Sequence, residues 1–285
     1  MSARPLLMAL SLIPATANAA TVLDLEPTGK WLLNYEDNSC FLGRTFGEGD
    51  SQITIAFTRF APGDGFSLRA YGKPFRNDGP FQDVRVAFGA IPATEPLRDS
   101  LSGKTGKVPF VDLGRFTLAT TLHGVENDPP SLSAEQEAAV SALTIGPHRG
   151  KIYRLHLGSM RSPMRAMRSC TDNLVRTWGY DPSVTGALSK PPEPASYPGS
   201  WLTTDDYPAG MVATGQLGAV EFRLDVDENG GVTGCTILRR AGDETFAATS
   251  CMKLKRRARF NPALDNTGRP VRSFYINRVN WILPH

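Results

Sequence analysis

The chain has 285 residues, 41% of them hydrophobic and 21% charged, with a mean hydropathy of −0.23. That balance excludes a disordered polyelectrolyte and a protein of many membrane spans, and the length suits two domains or one large one. Thirty-one Lys and Arg against 28 Asp and Glu leave a formal charge of +3, too small to imply a nucleic-acid partner.

The N-terminus decides the compartment. Arg4 supplies a positive start, residues 6–13 an apolar run that Pro14 interrupts, and Ala17-Asn18-Ala19 an A-x-A cut site. This is the layout of a signal peptide over residues 1–19. A spanning helix needs about 20 predominantly apolar residues, whereas this stretch holds a proline and turns polar by Asp24. The mature chain is expected to start near Ala20; a retained segment would be a membrane anchor. Export to an oxidising compartment makes Cys40, Cys170, Cys235 and Cys251 disulfide partners. Of three possible pairings, Cys40–Cys170 and Cys235–Cys251 keep each bridge within one compositional block. No C-x-x-C occurs, and His123, His148, His156 and His285 lack ligand spacing, so neither metal nor cofactor is expected.

Residues 31–35, 40–45, 52–60, 65–71, 82–88 and 151–157 are short alternating apolar runs separated by Gly, Pro, Asn or Asp. They predict a meander or sandwich. Two helices interrupt it. Ser133 followed by Gln136 fits a capping box opening a helix over 134–143, and Ser162-Pro163 gives an N-cap with proline at the first helical position. The second helix carries Met164, Met167, Cys170, Leu174, Val175 and Trp178 on one face, a core stripe, and ends at Gly179. Residues 20–188 thus read as a β-rich domain with two helices, to which the pattern assigns no function.

Residues 189–206 include Lys-Pro-Pro-Glu-Pro-Ala-Ser-Tyr-Pro from Lys190 to Pro198 and read as an extended linker. Composition changes across it: residues 20–206 carry 19 basic and 21 acidic groups, residues 207–285 carry 11 and 7. After it, residues 218–227 alternate, with Val220, Phe222, Leu224 and Val226 inward and Glu221, Arg223 and Asp225 outward, a half-buried strand. Asp227-Glu228-Asn229-Gly230-Gly231 turns the chain into a second strand over 232–239. Asp225-x-Asp227-x-Asn229-Gly230 also matches half of an EF-hand loop, but Thr236 stands where a bidentate Glu is required. Asp243 caps a helix from Glu244 to about Arg259, placing Cys251 over Cys235. Its basic run, residues 253–259, suits a solvated helix end favoured by the macrodipole, or alternatively an anionic lipid or acidic receptor surface. Asn261-Pro262 stops the helix, Gly268-Arg269-Pro270 turns, and 273–283 forms the last strand. The order is ββαβ, and the whole chain is α+β.

Tyr207-Pro208, Gly218-x-Val220, Val226-Asp227, Gly231-Val232, Arg259-Phe260-x-Pro262-Ala263, Gly268-x-Pro270-Val271 and a final aromatic strand occur in sequence. Together they resemble the C-terminal domain of the energy transducer TonB family, over about residues 207–283. The resemblance implies a periplasmic domain that recognises a short extended segment, the TonB box, of TonB-dependent outer-membrane transporters for siderophores or similar ligands. The inner-membrane helix that meets the ExbB–ExbD motor and the long proline-rich spacer of full transducers are not visible, which leaves coupling to that motor in doubt. The binding half of the family pattern carries over better than the force-transmitting half.

An edge strand can accept a foreign strand on its unpaired N–H and C=O groups, and residues 273–283 are the best candidate. The partner-binding candidates are Tyr207, Pro208, Tyr275, Ile276, Asn277, Arg278, Val279, Asn280 and Trp281. Tyr275 and Trp281 can equally pack under the helix, with backbone pairing open either way. The rival readings are an adaptor whose C-terminal block associates with itself or with the N-terminal domain, and an enzyme within residues 20–188. No G-x-S-x-G, H-E-x-x-H, P-loop or dinucleotide fingerprint occurs, and no enzymatic activity is assigned.

Overall fold

The computed structural model describes residues 22–89, 97–119 and 131–283. Residues 1–19, expected to be a signal peptide, and the expected cut site lie outside them, as do His123 and His285. The N-terminal domain contains strands β1 (Val22–Leu25), β2 (Leu32–Tyr35), β3 (Cys40–Phe46), β4 (Ile53–Arg59), β5 (Phe66–Tyr71), β6 (Phe81–Phe88), β7 (Leu97–Thr105) and β8 (Val108–Phe116). Helix α1 (Ala134–Ala139), β9 (Ala142–Pro147), β10 (Ile152–His156), α2 (Arg161–Thr177) and the single turn α3 (Pro182–Thr185) follow.

The ten strands form one sheet in the order β1-β10-β9-β6-β7-β8-β5-β4-β3-β2, antiparallel except for the parallel β1–β10 pair. Just after β1, Thr28 N–H donates to the Thr45 carbonyl (3.0 Å), Gly47 N–H donates to the Glu26 carbonyl (2.9 Å), and Pro27 bridges Phe46. The chain after β1 thus pairs with the end of β3, near the other end of the sheet, so the sheet closes on itself; of the two expected arrangements, a meander or a sandwich, the mostly consecutive antiparallel order is that of a meander. Alternate residues point inward: Ile53, Ile55 and Phe57 of β4, Phe66 and Leu68 of β5, and Val84, Val86 and Phe88 of β6 share one core. The Phe57 and Phe66 rings lie 4.6 Å apart, and Phe88 meets both. Each fully buried side chain of this size contributes roughly 1.5–3 kcal/mol.

Helix α2 adds Met164, Met167, Cys170 and Leu174 to that core, the stripe read from its spacing, and the Cys40–Cys170 disulfide ties it to β3. The capping box at Ser133 and Gln136 is present, but α1 stops at Ala139. Residues 142 and 143 join β9 instead, because Leu143 pairs with Phe88 of β6. Helix α2 begins at Arg161 after Met160, so Ser162 lies in its first turn without capping it.

The C-terminal domain contains β11 (Glu193–Pro194), the short helix α4 (Ala209–Ala213), β12 (Gly218–Val226), β13 (Val232–Ala241) and α5 (Glu244–Arg257). After these come β14 (Phe260–Asn261), β15 (Ala263–Leu264), β16 (Pro270–Val271) and β17 (Ser273–Trp281). Strands β13, β12 and β17 form a three-stranded antiparallel sheet in that order. Asp227 Oδ1 accepts from the N–H groups of Asn229 (2.9 Å) and Gly231 (2.8 Å), so the hairpin turn accounts for the half EF-hand pattern. Gly230 is required there: its φ is +80°, and a Cβ would sit 1.8 Å from the Phe260 carbonyl oxygen. Asp243 Oδ1 caps α5 by accepting from Thr245 N–H, and Cys235–Cys251 joins β13 to α5.

Residues 189–206 are not a free linker. Ser189 N–H donates to Leu264 O (3.0 Å) and Ala195 N–H to Arg259 O (2.8 Å), and β11 pairs with β14. Trp201 is buried in one core with Phe222, Leu224, Leu254 and Phe260. The proline-rich stretch is extended, but it runs along the C-terminal domain as part of it.

Candidate functional site: the outer edge of the last strand

Strand β17 ends the three-stranded sheet, with β12 on one side. Alternation sends its side chains to two faces. On the α5 face, Tyr275 packs on Phe260 (5.0 Å between centroids) and Trp201 (5.9 Å), and Trp281 stacks on Phe246 (5.5 Å) and donates from Nε1 to Ser250 Oγ (3.2 Å). Val279 lies against the same core. Tyr207 meets both Phe246 and Trp281 edge-on, at 5.6 and 5.5 Å. The structure thus joins Tyr207 to the end of β17 across 74 residues of chain, as core packing. Pro208 sits at the start of α4.

The opposite face was expected to be wet, because Glu221, Arg223 and Asp225 form its central row. It lies instead on the N-terminal domain, with Glu221 and Arg223 buried. Phe274 of β17 meets Trp178 (5.4 Å) and Tyr180 (5.3 Å) edge-on, and the Arg223 guanidinium lies 4.2 Å over Trp178. The Tyr180 hydroxyl is shared between Asp225 Oδ1 (3.0 Å) and the Ser273 carbonyl (3.1 Å). Burial, reinforced by the Asp225 charge, pushes that phenol up to about 12.

At the centre of this junction stands Asp112 of β8, its side chain 2% exposed. Arg69 of β5 holds it at 2.8 Å, Arg278 of β17 at 3.4 Å and Arg239 of β13 at 3.5 Å. Burial alone would raise the carboxyl; the three guanidiniums outweigh it and hold Asp112 at about 2. Arg239 also pairs with Glu221 (2.7 Å), which accepts from Ser67 Oγ (3.2 Å).

The outer side of β17 has no strand partner among the described residues. There the Arg278 backbone N–H donates to Asn277 Oδ1 (2.8 Å), and Asn277 Nδ2 donates to the Tyr275 hydroxyl (2.6 Å). A side chain, easily displaced, satisfies an amide that a guest strand would take. Ile276 and Asn280, two residues either side, present their backbone groups to the same edge. Cavities open along this edge on both faces. A groove of about 510 Å³ on the α5 side is lined by residues 197–204 together with residues 277–282. One of about 180 Å³ lies between residues 276–278 and residues 58–67, and one of about 960 Å³ lies between the end of β17 and β7–β8.

The wall at 197–204 was missed as a site because it read as a linker; a tryptophan at 201 in a proline-rich stretch was the available signal. It is held by Asp206, which pairs with Lys253 Nζ (2.7 Å) and Arg257, so part of the basic run on α5 is engaged internally. The Arg257 hydrogen bond, with Lys253 and the Thr203 N–H, keeps the Asp206 carboxyl well below the usual carboxylate range.

No helix among the described residues is long and apolar enough to cross a membrane. No curated protein and no solved structure matches the chain. Residues 204–283 match the family model described as Gram-negative bacterial TonB protein C-terminal. These residues contain α4, the β13-β12-β17 sheet and α5, and this part of the chain is similar to the C-terminal domain of Gram-negative TonB proteins.

Proposed function

We propose that this protein is a periplasmic, TonB-family binder of TonB-dependent outer-membrane transporters, taking the TonB box by strand addition to β17 in energy-coupled import of siderophore-type ligands. The observation that carries the reading is the outer edge of β17, unpartnered among the described residues, where the Arg278 amide donates to a neighbouring side chain, within the segment that matches the TonB C-terminal model. Strand addition uses main-chain hydrogen bonds for affinity and pockets for alternate side chains for specificity, and this edge has grooves on both faces. Tyr275 and Trp281 serve it by fixing the strand from beneath, and Trp281 also lines the grooves on both faces. Isothermal titration of the full chain with a TonB-box peptide tests this against Asn280→Pro, which removes one outward N–H at a position where an edge strand tolerates proline. Binding that survives unchanged in the variant would refute it.

One observation favours a second reading, an adaptor that uses the domain for protein association without energy transduction. The sheet face is already bound to the N-terminal domain through Asp112 and Tyr180. Stable association of the separately produced halves would support that reading, and halves that ignore each other would remove it.

A further inference from the structure

A strand added to β17 would present alternate side chains to the two faces of the sheet. One row would face the groove at residues 197–204, on the α5 side of the sheet. The other would face the N-terminal domain, because that domain covers the α5-free face up to the edge itself: Arg278 reaches Asp112, and Phe60, Ser67 and Arg115 line the cavity beside residues 276–278. The docking edge is therefore the floor of a cleft with one wall from each domain.

The charges on the second wall do not balance. Around Asp112 and Glu221 stand the guanidiniums of Arg69, Arg239 and Arg278, three cations to two carboxylates in a largely buried cluster. Arg69 and Arg239 have the shorter carboxylate contacts, at 2.8 Å to Asp112 and 2.7 Å to Glu221. Arg278 has a single carboxylate contact, at 3.4 Å, its Nε donating instead to the uncharged Asn280 Oδ1 (2.9 Å); it lies on the edge strand and keeps a side chain one-quarter exposed. The surplus positive charge thus sits where a guest would lie.

We propose that the N-terminal domain reads the guest segment, selecting one that carries an acidic side chain beside Arg278 on the row facing Asp112. This rests on the strand-addition reading above. The occupant is an extended segment of another protein, whose carboxylate would complete the neutralisation that Asp112 and Glu221 leave unfinished. Residues 58–67 and 112–115 then contribute to specificity although they lie outside the TonB-like domain.

The test is fluorescence polarisation of the full chain with labelled nine-residue peptides of alternating Val and Thr, carrying a single Glu moved along the sequence, each paired with its Gln version. Glu is expected to bind roughly tenfold more tightly than Gln at positions of one row only, and with Arg278→Gln each Glu peptide is expected to bind no more tightly than its Gln version, whatever the affinity the pair then shares. The Glu–Gln comparison needs no altered protein, so it stands even if the variant fails to fold. Peptides that bind and protect β17 amides without any Glu preference, or with it on the α5-facing row, would overturn this proposal and leave strand addition intact. A chain that forms a dimer by light scattering and binds no peptide would have its edge taken by a second copy, and both readings would fall.

Discussion

Replacing Asp112 with Asn tests the junction between the domains at its most constrained point. The wild-type carboxylate is 2% exposed and held at about 2 against an ordinary 3.8, which corresponds to roughly 2 kcal/mol of stabilisation at neutral pH. The variant loses this and also strands Arg69, Arg239 and Arg278 together without their shared counter-charge. Breaking a buried ionic network by removing one partner costs about 3–5 kcal/mol, or roughly 10 °C in melting temperature for a chain of this size. The Asp112 pKa is lowered on folding, so its contribution is complete above about pH 4 and is lost as pH falls through 2. The gap between wild type and Asp112→Asn should therefore be widest at neutral pH and should close between pH 4 and 2, followed by calorimetry or urea titration. A gap below about 1 kcal/mol at pH 7 would refute the reasoning, as would one that persists unchanged at pH 2.

Asp206→Ala should free the 197–204 wall, seen as faster hydrogen exchange at Trp201 and Tyr207 with the α5 core amides unchanged. Cys40→Ser with Cys170→Ser opens a separation of 130 residues, and Cys235→Ser with Cys251→Ser one of 16; the expected losses are about 5 and about 3 kcal/mol, ranked by thermal melts of the two double variants. Trp281→Ala removes a buried indole from its stack on Phe246 and should cost about 3–5 kcal/mol in denaturant unfolding, whether or not a guest is present.

What could be read from the chain was local. The alternation of Val220, Phe222, Leu224 and Val226, the turn at Asp227 and the cap at Asp243 are consequences of a few adjacent residues, and they appear where expected. The disulfide pairing followed from keeping each bridge within one block. Long-range pairings were not legible: β1 joins β10 across 130 residues, and β7 has the mostly polar sequence LRDSLSGKT. Strand β8 carries Pro109 and a glycine at 114 that interrupt its alternation. The row Glu221, Arg223 and Asp225 looked solvated because charged residues normally are; here partners from another domain bury it, and a partner distant in sequence leaves no periodic trace. The same cause hid half of the candidate site, since residues 58–67 and Asp112 acquire their meaning only from what folds against them.

Amide hydrogen exchange along β17, in the full chain with and without a TonB-box peptide, tests strand addition most directly. Guest pairing is expected to slow exchange at the outward amides of Ile276, Arg278 and Asn280 while leaving the inward amides of Tyr275, Asn277 and Val279, already bonded to β12, as they were. A peptide that binds while those three outward amides exchange at their free-protein rates would contradict the account.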